Sequence, residues 1–264
     1  MTRGTLGHSQ HPSERSMGGA QPAEELTESY ARWRSSRLGR ITDALERQLL
    51  AGLLGRVAGK KLLDVGCGDG AMAFELARQG AAVTALDADP SMIAAARLRA
   101  ENDATRVQLV EGDAQSLPFD DATFDVVVTV TVLCFVQDAE HVVTEIARVL
   151  KPEGRLVVGE LGRWSLWAAH RRLRGWLGHP VWRAVKFRTA ADLQRLAEAA
   201  GLGVVAVHGA VHYPPCGVAA RLLAPVDLWL GQQTTFGAAF LAMSAAKNVA
   251  VSYTHLTLPT ILRV

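Results

Sequence analysis

The sequence predicts an α/β fold in which a mostly parallel sheet carries helices on both faces. Three observations predict it. Short runs of branched apolar residues, at 62–65, 82–86 and 124–130, alternate with segments of helical periodicity. The run 124–130 has no polar alternation, as expected of a strand buried on both faces. The run 62–65 passes through a glycine turn straight into the helical stretch 71–78, which is how a βα unit begins. With 264 residues, 49% of them hydrophobic, the chain has the size of one such domain with an appendage.

Bulk composition narrows the function classes. A net charge of +2 from 28 basic and 26 acidic residues gives no field for a polyanion, so a nucleic-acid partner is not expected. The three cysteines, Cys67, Cys134 and Cys216, are far apart and odd in number. They fit neither a disulfide framework nor a metal site, and they agree with a reducing cytoplasm. Residues 1–22 lack the apolar centre of a signal peptide, and no run of 18 apolar residues occurs.

Residues 1–22 are rich in Gly, Ser, His and Gln and read as a disordered leader, followed by one domain over 23–247. The segment from Glu24 is expected to be helical, with Leu38, Ile41, Leu45 and Leu49 on one face and Tyr30 and Trp33 ahead of it. The strand at 62–65 contains one carboxylate, Asp64, and leads into Gly66-x-Gly68-x-Gly70. Glycines there allow a tight turn, positive φ and close approach of a ligand to bare main chain, and the helix start favours anionic or polar groups. The third glycine comes one residue too early for the dinucleotide pattern G-x-G-x-x-G, and no Walker lysine follows. Asp87 ends the second strand, 17 residues past Gly70, where a carboxylate accepts hydrogen bonds from a ribose diol. Asp89 is the expected N-cap of the next helix, with Pro90 at its first position. A third strand at 107–110 leads to Glu111, Gly112, Asp113 and Ala114.

In that order and spacing these residues resemble the class I S-adenosylmethionine-dependent methyltransferases, from about Tyr30 to Lys247 and most specifically over 60–160. The resemblance implies a Rossmann-like seven-stranded sheet whose last strand runs antiparallel. It implies that the cofactor, S-adenosylmethionine, is held by Asp64, Gly66, Cys67, Gly68, Gly70, Asp87, Asp113, Ala114 and Thr131, with no metal. In the family the glycine loop wraps the methionine part, the acid ending the second strand holds the ribose, and the next acid approaches the adenine amine.

The remaining elements extend this pattern. Leu117-Pro118-Phe119 resembles the family's run over the adenine, although Phe119 also suits a core aromatic. Thr131 to Phe135 follow the fourth strand at its carboxyl end, where open α/β sheets place their chemistry. The Asn-Pro-Pro-Tyr-like motif of enzymes that methylate amino groups of bases or glutamine is missing there. A helix is expected at 138–150, a turn at 151–155 and a fifth strand at 156–160. The stretch 163–188 holds four of the six tryptophans (Trp164, Trp167, Trp176, Trp182) among many arginines, where the family inserts substrate-specific elements. It reads either as a lid over the acceptor or as an amphipathic core helix. Thr189-Ala190-Ala191-Asp192 forms a capping-box pattern. A sixth strand at 204–211, a helix at 218–230 broken at Pro225, and a seventh strand at 236–243 complete the domain.

The implied activity is transfer of a methyl group from S-adenosylmethionine to a small-molecule acceptor by direct displacement. The activated methyl is carried by the cofactor, so the protein chiefly aligns the acceptor and excludes water. If a general base is used, the candidates are His141, His170, His212 and Tyr213. The alternatives are a non-catalytic S-adenosylmethionine-binding or interaction protein, and an NAD(P)-dependent reductase, which the glycine spacing and a missing Tyr-x-x-x-Lys pair disfavour. Residues 163–188 also offer a peripheral membrane contact. Residues 248–264 are expected not to belong to the native protein: 251–262 carries no Asp, Glu, Lys or Arg and resembles translated adapter sequence, the alternative being an extra edge strand.

Overall fold

A computed structural model describes residues 33 and 35–247. The leader at 1–22, Tyr30 and the tail at 248–264 lie outside the described residues. The chain runs α1 (Arg37–Leu54), β1 (Lys61–Val65), α2 (Ala71–Arg78), β2 (Ala82–Asp87), α3 (Pro90–Glu101), β3 (Val107–Glu111), β4 (Phe124–Val130), α4 (Ala139–Val149) and β5 (Leu150–Leu161). Then come α5 (Leu166–Trp176), α6 (Pro180–Ala184), α7 (Ala190–Ala199), β6 (Leu202–Ala210), α8 (Gly217–Gln233) and β7 (Phe240–Lys247).

The seven strands form one sheet in the order β3-β2-β1-β4-β5-β7-β6. The first five pair in parallel, and β7 lies antiparallel between β5 and β6. Successive side chains of a strand point to opposite faces, so the apolar runs feed two core layers. Leu63, Val65, Val127 and Val158 pack with α4 and α7 on one face. Leu62, Val83, Val128 and Val157 pack with α1, α2 and α8 on the other. Several helices start on side-chain caps: Asp89 accepts from Ser91 N, Asp138 from His141 N, and Thr189 with Asp192 closes both bonds of a capping box.

Three elements differ from the sequence reading. The turn expected at 151–155 lies inside β5, which pairs with β4 through Leu150 and again from Arg155; the residues between bulge out, with Glu153 at φ 65°. Pro225 does not break α8. Its ring is exposed, and burial of Ala220, Asp227 and Gly231 on the opposite side holds the helix together. β7 begins at Phe240 rather than at 236, because Gly237 turns the chain at φ 83° and leaves Phe236 74% exposed.

Residues 163–188 form an excursion whose two ends meet. Arg163 N donates to Arg188 O (2.8 Å) and Arg188 N to Leu161 O (3.0 Å). Its tryptophans divide. Trp167 is 6% exposed, donates Nε1–H to Tyr213 O (2.8 Å) and meets Trp33 edge-on at 6.2 Å. Trp164 and Trp176 are exposed. Trp167→Ala is therefore expected to cost about 3–5 kcal/mol of stability, and Trp164→Ala less than about 0.5 kcal/mol; urea unfolding of the two variants measures the difference.

Candidate active site

The carboxyl ends of β1, β2, β3 and β4 converge on one edge of the sheet, and the glycine loop hangs there from β2. Gly66 N and Cys67 N both donate to Leu86 O (2.7 and 3.0 Å). Gly66, Gly68 and Gly70 all have positive φ. A Cβ on Gly66 would stand 2.1 Å from Val132 Cγ2, so this glycine lets the loop after β4 close against the loop after β1. Gly68 is different: a Cβ there meets nothing within 4 Å, so its φ of 54° leaves open main chain.

Asp87 holds this edge together. Its Oδ2 accepts from Gly68 N (2.8 Å), its Oδ1 from Asp89 N (2.9 Å), and its backbone carbonyl from Gly112 N (3.0 Å). A carboxylate has about four lone-pair positions, so capacity remains on both oxygens. Asp64 lies on the same side of the sheet, since Asp64 is in register with Ala85 and Asp87 lies two residues further on. It is 3% exposed and its Oδ2 has no hydrogen-bond partner. Burial, then the charge of Asp87, pushes its pKa up to about 7.

The other expected cofactor positions lie in the turns that follow β1, β3 and β4 on the same edge. Asp113 is exposed at the end of β3, where its Oδ1 accepts from Gln115 N (2.9 Å). Ala114 is buried in the core. The Cys67 thiol is pushed up in pKa by burial and stays protonated. Thr131, directly after β4, has φ 54°, an outlier for a β-branched residue, and is held by its N–H on Gly159 O (2.7 Å). Phe119 is instead a core aromatic away from this edge: it packs edge-on at 5.1 Å to Phe124, at the amino end of β4, while Arg148 donates to Phe119 O and Leu117 O (2.8 and 2.9 Å).

The four base candidates are not brought together. His141 is exposed in the first turn of α4, and His170 is exposed on α5. His212 Nδ1 lies 3.5 Å from Asp227 Oδ2, and Asp227 is committed to Val211 N and His212 N (2.7 and 2.8 Å). The Tyr213 hydroxyl shares a hydrogen bond with Thr42 Oγ1 (3.0 Å), and burial pushes its pKa up to about 12. Both groups brace the join between β6, α8 and α1. Among the described residues no group of three or more His, Cys, Asp or Glu is placed to hold a metal ion.

One carboxylate escaped the sequence reading. Glu160 ends β5, is fully buried, and accepts from Leu133 N (2.7 Å) through Oε1, while Oε2 has no partner. Arg188 grips the same residue from the other side, donating Nη2–H to Leu133 O (2.9 Å). The loop after β4 is thus clasped between β5 and the end of the 163–188 excursion. The signal was one acid at the end of an otherwise apolar strand.

An open α/β sheet with a reversed last strand, a bare glycine loop and acids ending the next two strands defines a protein built to hold a nucleoside-bearing cofactor at one edge. The family model described as "Methyltransferase domain" matches residues 63–158. A demethylmenaquinone methyltransferase of Tropheryma whipplei is 42% identical over 121 residues, which cover 46% of this chain and 49% of the relative. A ubiquinone biosynthesis O-methyltransferase of Idiomarina loihiensis is 32% identical over 165 residues, covering 59% of this chain and 67% of the relative. In structure, a protein of Thermotoga maritima described as a S-adenosylmethionine-dependent methyltransferase, possible histamine N-methyltransferase, superposes with TM-score 0.66 at 23% identity, covering 85% of this chain and 97% of that one. The chain belongs to the class I S-adenosylmethionine-dependent methyltransferase family. It spans about half the length of the demethylmenaquinone methyltransferases it matches. Membership displaces the reductase alternative.

Burial pushes the Glu160 pKa from 4.5 up to about 7. The protonated form is favoured by folding, so its contribution is full below about 4.5 and is lost as pH rises through about 7. Glu160→Gln should therefore gain about 1–3 kcal/mol relative to the wild type between pH 5 and pH 8, read from urea unfolding at both pH values. An unchanged difference would mean that Glu160 is ionised throughout.

Proposed function

We propose that the chain transfers a methyl group from S-adenosylmethionine to a small-molecule acceptor, and that the edge built on Asp64 and Asp87 holds the cofactor. The observation that carries this is Asp64: a buried carboxylate with a free oxygen, beside a second carboxylate, at the root of an open glycine loop. Such a group is costly unless a cation completes it. S-adenosylmethionine offers an ammonium to Asp64 and a ribose diol to the remaining lone pairs of Asp87. Gly66, Cys67, Gly68 and Gly70 supply bare main chain for its amino-acid part, and Asp113, Ala114 and Thr131 border the rest. The residues present fit the group.

When bound, the cofactor supplies an electrophilic methyl on a sulfonium. The chain's own part is alignment and exclusion of water. Thr131, held strained by Gly159 O, and the clasp of Glu160 and Arg188 on Leu133 fix the loop after β4 at the carboxyl edge. Of the four base candidates, His212 and Tyr213 are engaged at the join of β6, α8 and α1, whereas His141 and His170 are exposed and open to an acceptor.

Residues 163–188 act as the cover on the acceptor side. Exposed Trp164, Leu166, Leu173, Trp176 and Leu177 stand among arginines, a composition suited to an acidic membrane surface. The relatives named for quinone methylation support an apolar acceptor that such a surface would deliver. No helix among the described residues is long and apolar enough to cross a membrane. We place the protein in the cytoplasm, with residues 163–188 as its candidate contact with an acidic lipid surface.

Labelled S-adenosylmethionine mixed with pure protein and a metabolite extract should give one labelled product of small mass; cofactor binding with no transfer would leave the non-catalytic reading. Asp87→Ala should weaken S-adenosylhomocysteine binding roughly 10- to 100-fold, the loss of hydrogen bonds to a charged group of about 1.5–3 kcal/mol. Asp113→Ala should cost less. Unchanged affinity in folded Asp87→Ala, measured by calorimetry, contradicts the assignment.

A further inference from the structure

We propose that the cavity between α5 and α6 is an anion-binding subsite for a phosphate- or carboxylate-bearing ligand with an apolar body. It rests on the reading of residues 163–188 as the acceptor-side cover. The cavity has a volume of about 800 Å³, and its walls include Arg163, Arg172, Arg183 and Lys186 together with Trp182 and Phe187. No acid lines it; indeed the whole stretch 163–188 contains no Asp or Glu.

Among the described residues, Arg163, Arg172 and Arg183 make no ion pair. Partial burial, and after it the charge of Arg163, holds the Arg172 guanidinium below its ordinary value. Like charges lining one cavity repel, and an anion among them removes the repulsion. Guanidinium forks match carboxylate and phosphate oxygens two at a time.

The apolar walls are equally fixed. Arg172 lies over the Phe187 ring at 5.1 Å, and Arg171 over the Trp182 ring at 4.8 Å. At the floor, α5 passes so close to α6 that a Cβ on Gly175 would stand 2.8 Å from the Trp182 main chain. Lys186 anchors the cavity to the loop after β4 through Val136 O and Gln137 O (3.4 and 2.9 Å). The subsite therefore adjoins the loop expected to face the acceptor, not the glycine loop. Its anion is either a soluble ligand or the headgroup of an acidic lipid.

Calorimetry on the full chain with phenyl phosphate, and with phenol as the neutral control, tests this. Phenyl phosphate should bind saturably and at least tenfold more tightly than phenol. Arg163→Gln with Arg172→Gln should weaken it tenfold or more, Arg183→Gln should weaken it independently, and S-adenosylhomocysteine affinity should stay within twofold in each. Sedimentation with phosphatidylglycerol and phosphatidylcholine vesicles separates the sources. Capture by the acidic vesicles that phenyl phosphate reverses assigns the site to a headgroup, and no capture assigns it to a soluble anion. Equal binding of phenyl phosphate and phenol, or undiminished binding in the glutamine variants, overturns the subsite. Loss of S-adenosylhomocysteine binding by the wild type counts instead against methyl transfer, and the phenyl phosphate comparison still decides the cavity.

Discussion

Two carboxylates sharing one edge of a buried parallel sheet are the constraint on which the structure depends. Asp64 is enclosed in β1, and Asp87 ends β2 beside it. Withdrawing a carboxylate from water costs several kcal/mol after relaxation, more when a like charge is near. The chain meets that cost in two ways. Main-chain N–H groups of Gly68 and Asp89 neutralise Asp87 in part, and Asp64 holds its proton to about pH 7. The glycine loop has its shape because its N–H groups answer to β2: Gly66 and Cys67 to Leu86 O, Gly68 to Asp87.

The opposite end of the same edge uses a related device. Glu160 is buried at the end of β5 with one oxygen on Leu133 N and the other unpaired. Arg188 reaches the same loop from the excursion at 163–188. Strained Thr131 lies between these two supports, so the loop after β4 is held from β1, through Gly66 against Val132, and from β5. The glycine loop and the 163–188 excursion are thus joined through the loop after β4 by packing and hydrogen bonds.

What the sequence made legible was local or periodic. The glycine triplet, Asp87 at a strand end, the Asp89-Pro90 start and the Thr189–Asp192 box each act within a few residues, and each takes the expected form. The parallel strands were legible because burial on both faces leaves unbroken apolar runs. What escaped depends on distant partners. Pro225 is tolerated because the other side of α8 is buried. The bulge in β5 exists because β4 resumes pairing only at Arg155. His212 and Tyr213 had the residue types of a base, but their partners, Asp227 and Thr42, come from α8 and α1. Glu160 looked like an ordinary strand end until Leu133 and Arg188 were brought to it.

The proposed role of Asp64, protonated until a cationic group arrives, is measured by proton release on binding. Calorimetry of S-adenosylmethionine binding at pH 6.5 in buffers of different ionisation enthalpy counts the protons. Release of a substantial fraction of one proton is expected at pH 6.5, since a group with a pKa of about 7 is mostly protonated there. Release should fall away by pH 8.5 and be lost in Asp64→Asn. No release at pH 6.5, or the same release from Asp64→Asn, would contradict it.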